Sequence, residues 1–198
     1  MKHALILHGT DATSQSNWFP WLKQKLEEHG YEVWIPELPG NHTPNRQTYN
    51  EYLLNSGFDL ENGIVIGHSA GAVSVLNLLM DERCPRMKLG IMAGAWAQET
   101  WDYTPEQQRA LEMAGFEKGQ FSNLFPKDGF DFETIKAKAE KLAFIHGDND
   151  PFCPLEQAQW LSKNLDAEIV IVPNGRHLSR GFTELPEVWD IIQKTIHE

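Results

Sequence analysis

Short runs of apolar, often β-branched residues recur along the chain, each followed by a stretch with helical spacing. The runs lie near 3–8 (HALILH), 31–35 (YEVWI), 63–67 (GIVIG), 88–93 (KLGIMA), 142–146 (LAFIH) and 168–172 (EIVIV). A strand with one wet face alternates apolar and polar residues. These runs are apolar throughout, so both faces of their sheet must be covered. Six such runs interleaved with helical segments predict an α/β fold, a six-stranded, mostly parallel sheet with helices on both faces.

The helical segments have distinct characters. Residues 17–29 place Trp18, Trp21, Leu22 and Leu26 on one face and end before Gly30, which suits the left-handed turn that closes a helix. Residues 70–80 (AGAVSVLNLLM) are apolar nearly all round, which predicts a helix buried against the sheet; the stretch is too short to cross a bilayer. A last helix carries Leu185, Val188, Trp189, Ile192 and Ile196 in register, with Pro186 in its first turn. No repeat, low-complexity tract or long linker interrupts the pattern, so residues 1–198 read as one domain. The rhythm breaks at 97–132, where no strand is predicted but Trp101, Tyr103, Phe116, Phe121, Phe125, Phe130 and Phe132 gather. A long insertion after the carboxyl end of a strand commonly forms a lid or pocket wall, so the segment reads as a small aromatic cap.

Charge narrows the partners. The chain has a net charge of −11, only 17 Lys and Arg, and no basic run or basic–aromatic alternation. A field of that sign repels phosphate backbones and anionic lipid, so neither nucleic acid nor a membrane surface is expected as a partner. No apolar run is long enough to span a membrane and no charged-then-apolar leader opens the chain, so the expected location is the cytoplasm. Cys84 and Cys153 lack CxxC spacing and are expected to be reduced, structural thiols.

Chemistry enters at Gly67-His68-Ser69-Ala70-Gly71, between the run GIVIG and the buried helix. A Gly-x-Ser-x-Gly turn in that position lifts the serine hydroxyl above the sheet, and its glycines let strand and helix approach without Cβ clashes. A serine alcohol is a weak nucleophile until a base takes its proton, so an acid and a histidine are expected on the loops after the last two strands. The loop Gly147-Asp148-Asn149-Asp150-Pro151 offers two aspartates. Asp150, three residues past the glycine and shortly before the proline that starts the next helix, fits the orienting acid. Asp148, one residue past the glycine, fits a turn cap. His177 follows the sixth run and fits the base. His3 and His146 fall in strands, His29 and His197 at helix ends and His42 in a loop. His8 and His68 flank the site, and His8 is expected to pack or hydrogen-bond behind it. The backbone N–H groups of Thr10 and Ala70 are the expected donors to an oxyanion, and Trp96 and Phe152 are candidate substrate-pocket residues. Asp148-x-Asp150 opens like a calcium loop, but Phe152, Cys153 and Gln159 stand where a ligand, a glycine and a glutamate are needed. The glycines are wrongly spaced for a dinucleotide loop, so no metal and no cofactor are implied.

With these motifs in place, the chain resembles the small α/β-hydrolase-fold serine hydrolases typified by retinoblastoma-binding protein nine and its bacterial relatives. The resemblance rests on His8-Gly9, Asn17-Trp18, Trp21-Leu22, Pro36-Glu37-Leu38-Pro39, VIGHSAGA at 65–72, GDNDPFCP at 147–154 and His177. It implies a six-stranded parallel sheet without the two leading strands of larger relatives. It also implies serine hydrolase activity on small-molecule esters or amides. With an aromatic cap and Trp96 suggesting an apolar acyl or aryl pocket, a carboxylesterase is the expected type, with an amidase or peptidase as the lesser alternative. Two features depart from the family pattern: 97–132 is longer and more aromatic, and Arg176 precedes His177 where a glycine is usual. The rival reading is a non-catalytic protein-binding module on the same fold, since fold does not dictate function.

Overall fold

The computed structural model describes residues 2–99 and 103–197; Trp101 of the aromatic segment lies outside them. Six strands, β1 (Lys2–Leu7), β2 (Tyr31–Trp34), β3 (Ile64–His68), β4 (Met87–Ala93), β5 (Ala139–Gly147) and β6 (Glu168–Val172), form one sheet in the order β2-β1-β3-β4-β5-β6. Every neighbouring pair is parallel. The strand order reverses between β1 and β3, so the loops leaving those two strands open onto one crevice at the carboxyl edge.

Helices α1 (Phe19–Glu28), α2 (Arg46–Leu54), α3 (Ala70–Leu79), α4 (Pro105–Met113), α5 (Phe132–Lys138), α6 (Leu155–Asn164) and α7 (Pro186–His197) complete the chain. Successive strand residues point to opposite faces, and each apolar run is divided accordingly. Ala4, Ile6, Ile64, Ile66, Ile91 and Ile145 pack with α1 and α7. Leu5, Leu7, Val65, Met92 and Phe144 pack with α2, α3, α5 and α6. Every residue of α3 is buried, which explains why that helix has no polar face.

β5 starts at Ala139, ahead of its apolar run. Met87 and Leu89 of β4 pair with Ala139 and Lys141, so backbone pairing extends the strand through polar side chains. Three helices escape the apolar pattern for a similar reason: local caps define them. Asn45 accepts the Thr48 N–H at 3.1 Å to start α2, and Asp131 accepts the Thr134 N–H at 3.1 Å to start α5. At α4, Thr104 and Gln107 form a reciprocal capping box, yet that helix has no buried residue.

Among its described residues, the 97–132 segment contains no strand, as its sequence predicts. Buried Gln157 of α6 holds its start, with Oε1 accepting the N–H groups of Ala97 (2.7 Å) and Gln98 (3.2 Å). Glu99 Oε1 accepts the Phe121 N–H at 2.9 Å, drawing the far part of the segment back. Phe121 and Phe125 then pack edge-on against Trp96 at 5.6 and 5.4 Å. Leu124, fully buried beside Ala70 and Val73 of α3, adds about 1.5–3 kcal/mol of apolar burial.

Candidate active site

Ser69 stands alone between β3 and α3, with φ 56° and ψ −123°. An L-residue in that region is strained, and the surrounding contacts hold it there. The Ser69 N–H donates to the Ala93 carbonyl at 2.9 Å, and the Ser69 carbonyl accepts from the Ala72 N–H at 2.8 Å. A Cβ at Gly67 would collide with the Gly71 carbonyl, and one at Gly71 with the Leu7 carbonyl, so both positions require glycine. The Ser69 side chain is half-buried. Ala70 is the first residue of α3, so its N–H has no acceptor within the helix.

The loop after β1 crosses directly over this turn. A Cβ on Gly9 would lie 2.9 Å from Ser69 Cβ and 3.4 Å from its Oγ. Fully buried His8 fixes that loop. Its Nε2 accepts the Leu38 N–H at 3.0 Å, which leaves Nδ1 to donate to the Gly9 carbonyl at 2.9 Å. The next residue is Thr10, whose Oγ1 is buried without a hydrogen-bond partner among the described residues.

Asp150 is buried, and its two oxygens have separate tasks. Oδ1 accepts the N–H groups of Phe152 (2.8 Å) and Cys153 (3.0 Å), while Oδ2 accepts from His177 Nδ1 at 2.7 Å. Burial by itself would raise the Asp150 pKa. The His177 ring and its hydrogen bond, His146 and the Cys153 N–H outweigh that effect and hold the carboxyl below its ordinary range. Asp148 faces elsewhere, with Oδ1 accepting the Asn174 N–H at 2.8 Å. Of the two aspartates, then, Asp150 meets the histidine and Asp148 caps the neighbouring turn. With Nδ1 donating to Asp150, His177 presents Nε2 as a free acceptor. No hydrogen bond joins it to Ser69 Oγ among the described residues, a bond that commonly tightens only when substrate is present.

The loop that carries His177 is unusual on both sides of that residue. Arg176 has φ 48° and Leu178 φ 50°. At Arg176 the left-handed backbone is one that glycine adopts without strain. The Arg176 N–H donates to Asn149 Oδ1 at 2.7 Å, which ties the Asp150 and His177 loops together.

Sequence reasoning missed three residues that hold these loops. The Trp18 Nε1–H donates to the Leu178 carbonyl at 3.0 Å, His68 Nε2 to the His177 carbonyl at 2.7 Å, and His146 Nε2 to the Cys153 carbonyl at 2.9 Å. The available clue was a polar ring inside an otherwise apolar run, because a buried polar group requires a partner. Of the candidate pocket residues, Phe152 stands edge-on to His177 at 5.1 Å, whereas Trp96 is 4% exposed behind Phe121. Asp150, Cys153 and His177 each offer one ligand atom within 4.8 Å of the others. Asp150 Oδ2 and His177 Nδ1 are already paired with each other at 2.7 Å, however, and full burial keeps the Cys153 thiol protonated well above its usual pKa.

The family model for serine hydrolases matches residues 4–194. This chain belongs to the serine hydrolase family. The serine hydrolase is 27% identical over 198 residues to the hydrolase YdeN of Bacillus subtilis, a match covering 96% of this chain and 94% of that protein. It is 22% identical over 190 residues to the rat serine hydrolase RBBP9, covering 96% of this chain and 91% of that one. The crystal structure of the B. subtilis ydeN product matches it with a TM-score of 0.82 at 24% identity over 100% of both chains. Est1E from Butyrivibrio proteoclasticus matches at 0.71 and 15% identity over 100% of this chain and 89% of that one. These likenesses agree with the parallel α/β sheet that the strand pattern predicts and with the α/β-hydrolase fold that the resemblance implies. No helix among the described residues is long and apolar enough to cross a membrane.

Proposed function

We propose that this serine hydrolase is a carboxylesterase-like enzyme that cleaves small-molecule esters through Ser69, His177 and Asp150. The observation that carries the reading is the 2.7 Å bond between buried Asp150 and His177 Nδ1, on loops at the same sheet edge as the strained Ser69 turn. Ser69 Oγ attacks the ester carbonyl carbon as its proton passes to His177 Nε2. The carbonyl oxygen becomes an oxyanion facing the N–H groups of Thr10 and Ala70. When the carbon–oxygen bond to the alcohol breaks, His177 returns the proton to the leaving alkoxide. Water then repeats the sequence on the acyl-enzyme and releases the acid. Asp150 stays ionised throughout and stabilises the imidazolium, a role its lowered pKa suits.

Phe152 forms the pocket wall beside His177 in this reading, with Trp96 in the layer behind it. Residues 97–132 cap the crevice as part of the one domain that spans 1–198. Two free, buried cysteines suit a cytoplasmic protein. The test is labelling with a fluorophosphonate probe, read by intact mass, followed by a panel of p-nitrophenyl esters and matching anilides. Wild type takes up one probe while Ser69→Ala and His177→Ala take up none, and esters turn over faster than anilides. An unlabelled, folded wild type would sink the proposal.

A further inference from the structure

His68 and His146 lie inside the sheet, 3% and 0% exposed. Each ring has one nitrogen at a main-chain carbonyl and the other unpaired. His68 Nε2 is 2.7 Å from the His177 carbonyl oxygen, and His146 Nε2 is 2.9 Å from the Cys153 carbonyl oxygen. The Nδ1 atoms of both are buried with no hydrogen-bond partner among the described residues. A carbonyl only accepts, so the proton of each ring sits on Nε2, and a neutral ring leaves Nδ1 bare. Burial enforces that neutrality: it pushes the His68 pKa down to about 3 and that of His146 down as well.

A leucine would fill a comparable volume without burying a bare nitrogen. The imidazole therefore suits these two places only through what Nε2 does, and both Nε2–H groups act on the loops that carry the acid and the base. His68, packed 6.1 Å from the rings of Trp18 and Phe19 and 4.9 Å from the His177 ring, has little freedom to point elsewhere. Its bond pins the main chain of the residue whose ring must reach Ser69. His146 pins the carbonyl of Cys153, whose own N–H is held by Asp150 Oδ1. The same His146 Nε2 lies 3.7 Å from Asp150 Oδ2, so its N–H dipole also favours the carboxylate. Neither ring nitrogen is bonded to Ser69, so both act through other groups.

We propose that His68 and His146 are positioning residues of this hydrolase, each donating Nε2–H to a carbonyl of one catalytic loop and so setting the Asp150–His177 geometry. The inference rests on the catalytic reading of Ser69, His177 and Asp150 given above. Neutrality is part of the device, because a second positive ring here would oppose the imidazolium that forms on His177 during acyl transfer.

Glutamine places an amide N–H where Nε2 sits, asparagine places one too short to reach, and leucine supplies none. The experiment compares these three substitutions at each position by two readouts. One is the far-downfield proton resonance of the Asp150–His177 hydrogen bond; the other is kcat and KM on p-nitrophenyl acetate. For His68→Leu and His146→Leu we expect the resonance to shift or vanish. We expect kcat to fall roughly 10- to 100-fold, as catalytic groups misplaced by about an ångström do, with KM within about twofold. His68→Gln and His146→Gln recover most of both signals, and the asparagine variants do not. Glutamine and asparagine behaving alike, or folded leucine variants keeping the wild-type resonance and kcat, would overturn the proposal. Should a leucine variant not fold, the glutamine–asparagine contrast decides. A wild type that shows the resonance but turns over no ester sinks the hydrolytic reading alone, because the resonance still reports what the two histidines do to the loops.

Discussion

Arg176 and Leu178, on either side of His177, both occupy left-handed backbone, at φ 48° and 50°. Their costs differ in kind. Arg176 is exposed and its backbone carries strain that glycine would not, whereas Leu178 is fully buried with the face that α1 and α7 cover. Arg176→Gly removes about 1–2 kcal/mol of left-handed strain and loses about 0.5–1 kcal/mol to the freer unfolded chain, so it stabilises by roughly 0.5–1 kcal/mol. Leu178→Gly destabilises by about 2–5 kcal/mol, because the lost packing exceeds the relief. Urea midpoints measure both; a lower midpoint for Arg176→Gly would refute the strain.

Asp150→Asn presents an amide where His177 Nδ1–H needs an acceptor. By analogy with the serine protease acid, kcat on p-nitrophenyl acetate drops by about 10⁴. Asp148→Asn keeps a carbonyl oxygen for the Asn174 N–H, and its kcat stays within about threefold of wild type for want of any altered contact to His177. Equal losses in the two variants would overturn the division of labour between the aspartates.

The depressed His68 pKa has a thermodynamic signature. The unfolded chain takes up a proton at this ring below pH 6.5, whereas the folded protein takes it up only near 3. Stability is therefore fully present above 6.5 and falls as pH drops through that window, by up to about 1.4 kcal/mol per pH unit for one proton. His146 shifts in the same direction and adds to the slope. Urea denaturation between pH 7 and 4.5 gives a shallower pH slope for His68→Gln than for wild type. Identical slopes would mean that the ring is protonated in the folded state.

Helix α4 is set by its capping box alone, with no residue buried. Thr104→Ala weakens that cap by about 1 kcal/mol, so amide exchange across 105–113 accelerates about fivefold while the global urea midpoint holds. A fall in the midpoint would show that α4 unfolds with the rest of the protein.

How much of this was legible in the sequence follows from which forces were at work. All six strands could be read because each is a continuous apolar run, and α3 because burial on all sides leaves it no polar positions. The Ser69 turn could be read because its glycines answer to backbone collisions that a local motif records. Asp150 could be preferred over Asp148 by spacing, but only the 2.7 Å contact with His177 separates them physically. Helix α4 was invisible because it buries nothing, and its Thr104-x-x-Gln107 cap is short. The roles of Trp18, His68 and His146 were only half legible: a polar ring in an apolar setting says that a partner is needed, but these acceptors are main-chain carbonyls, which no side-chain pattern marks.

The bond from Trp18 to the Leu178 carbonyl joins residues 160 positions apart. A ribosome making this chain exposes the first helix long before the loop it must hold exists, so Trp18 waits with its indole N–H unpaired or paired to water. Contacts that far apart close late and set the pace of folding. The loop that carries His177 can thus be anchored only once Leu178 has left the ribosome, long after the Ser69 turn has been made.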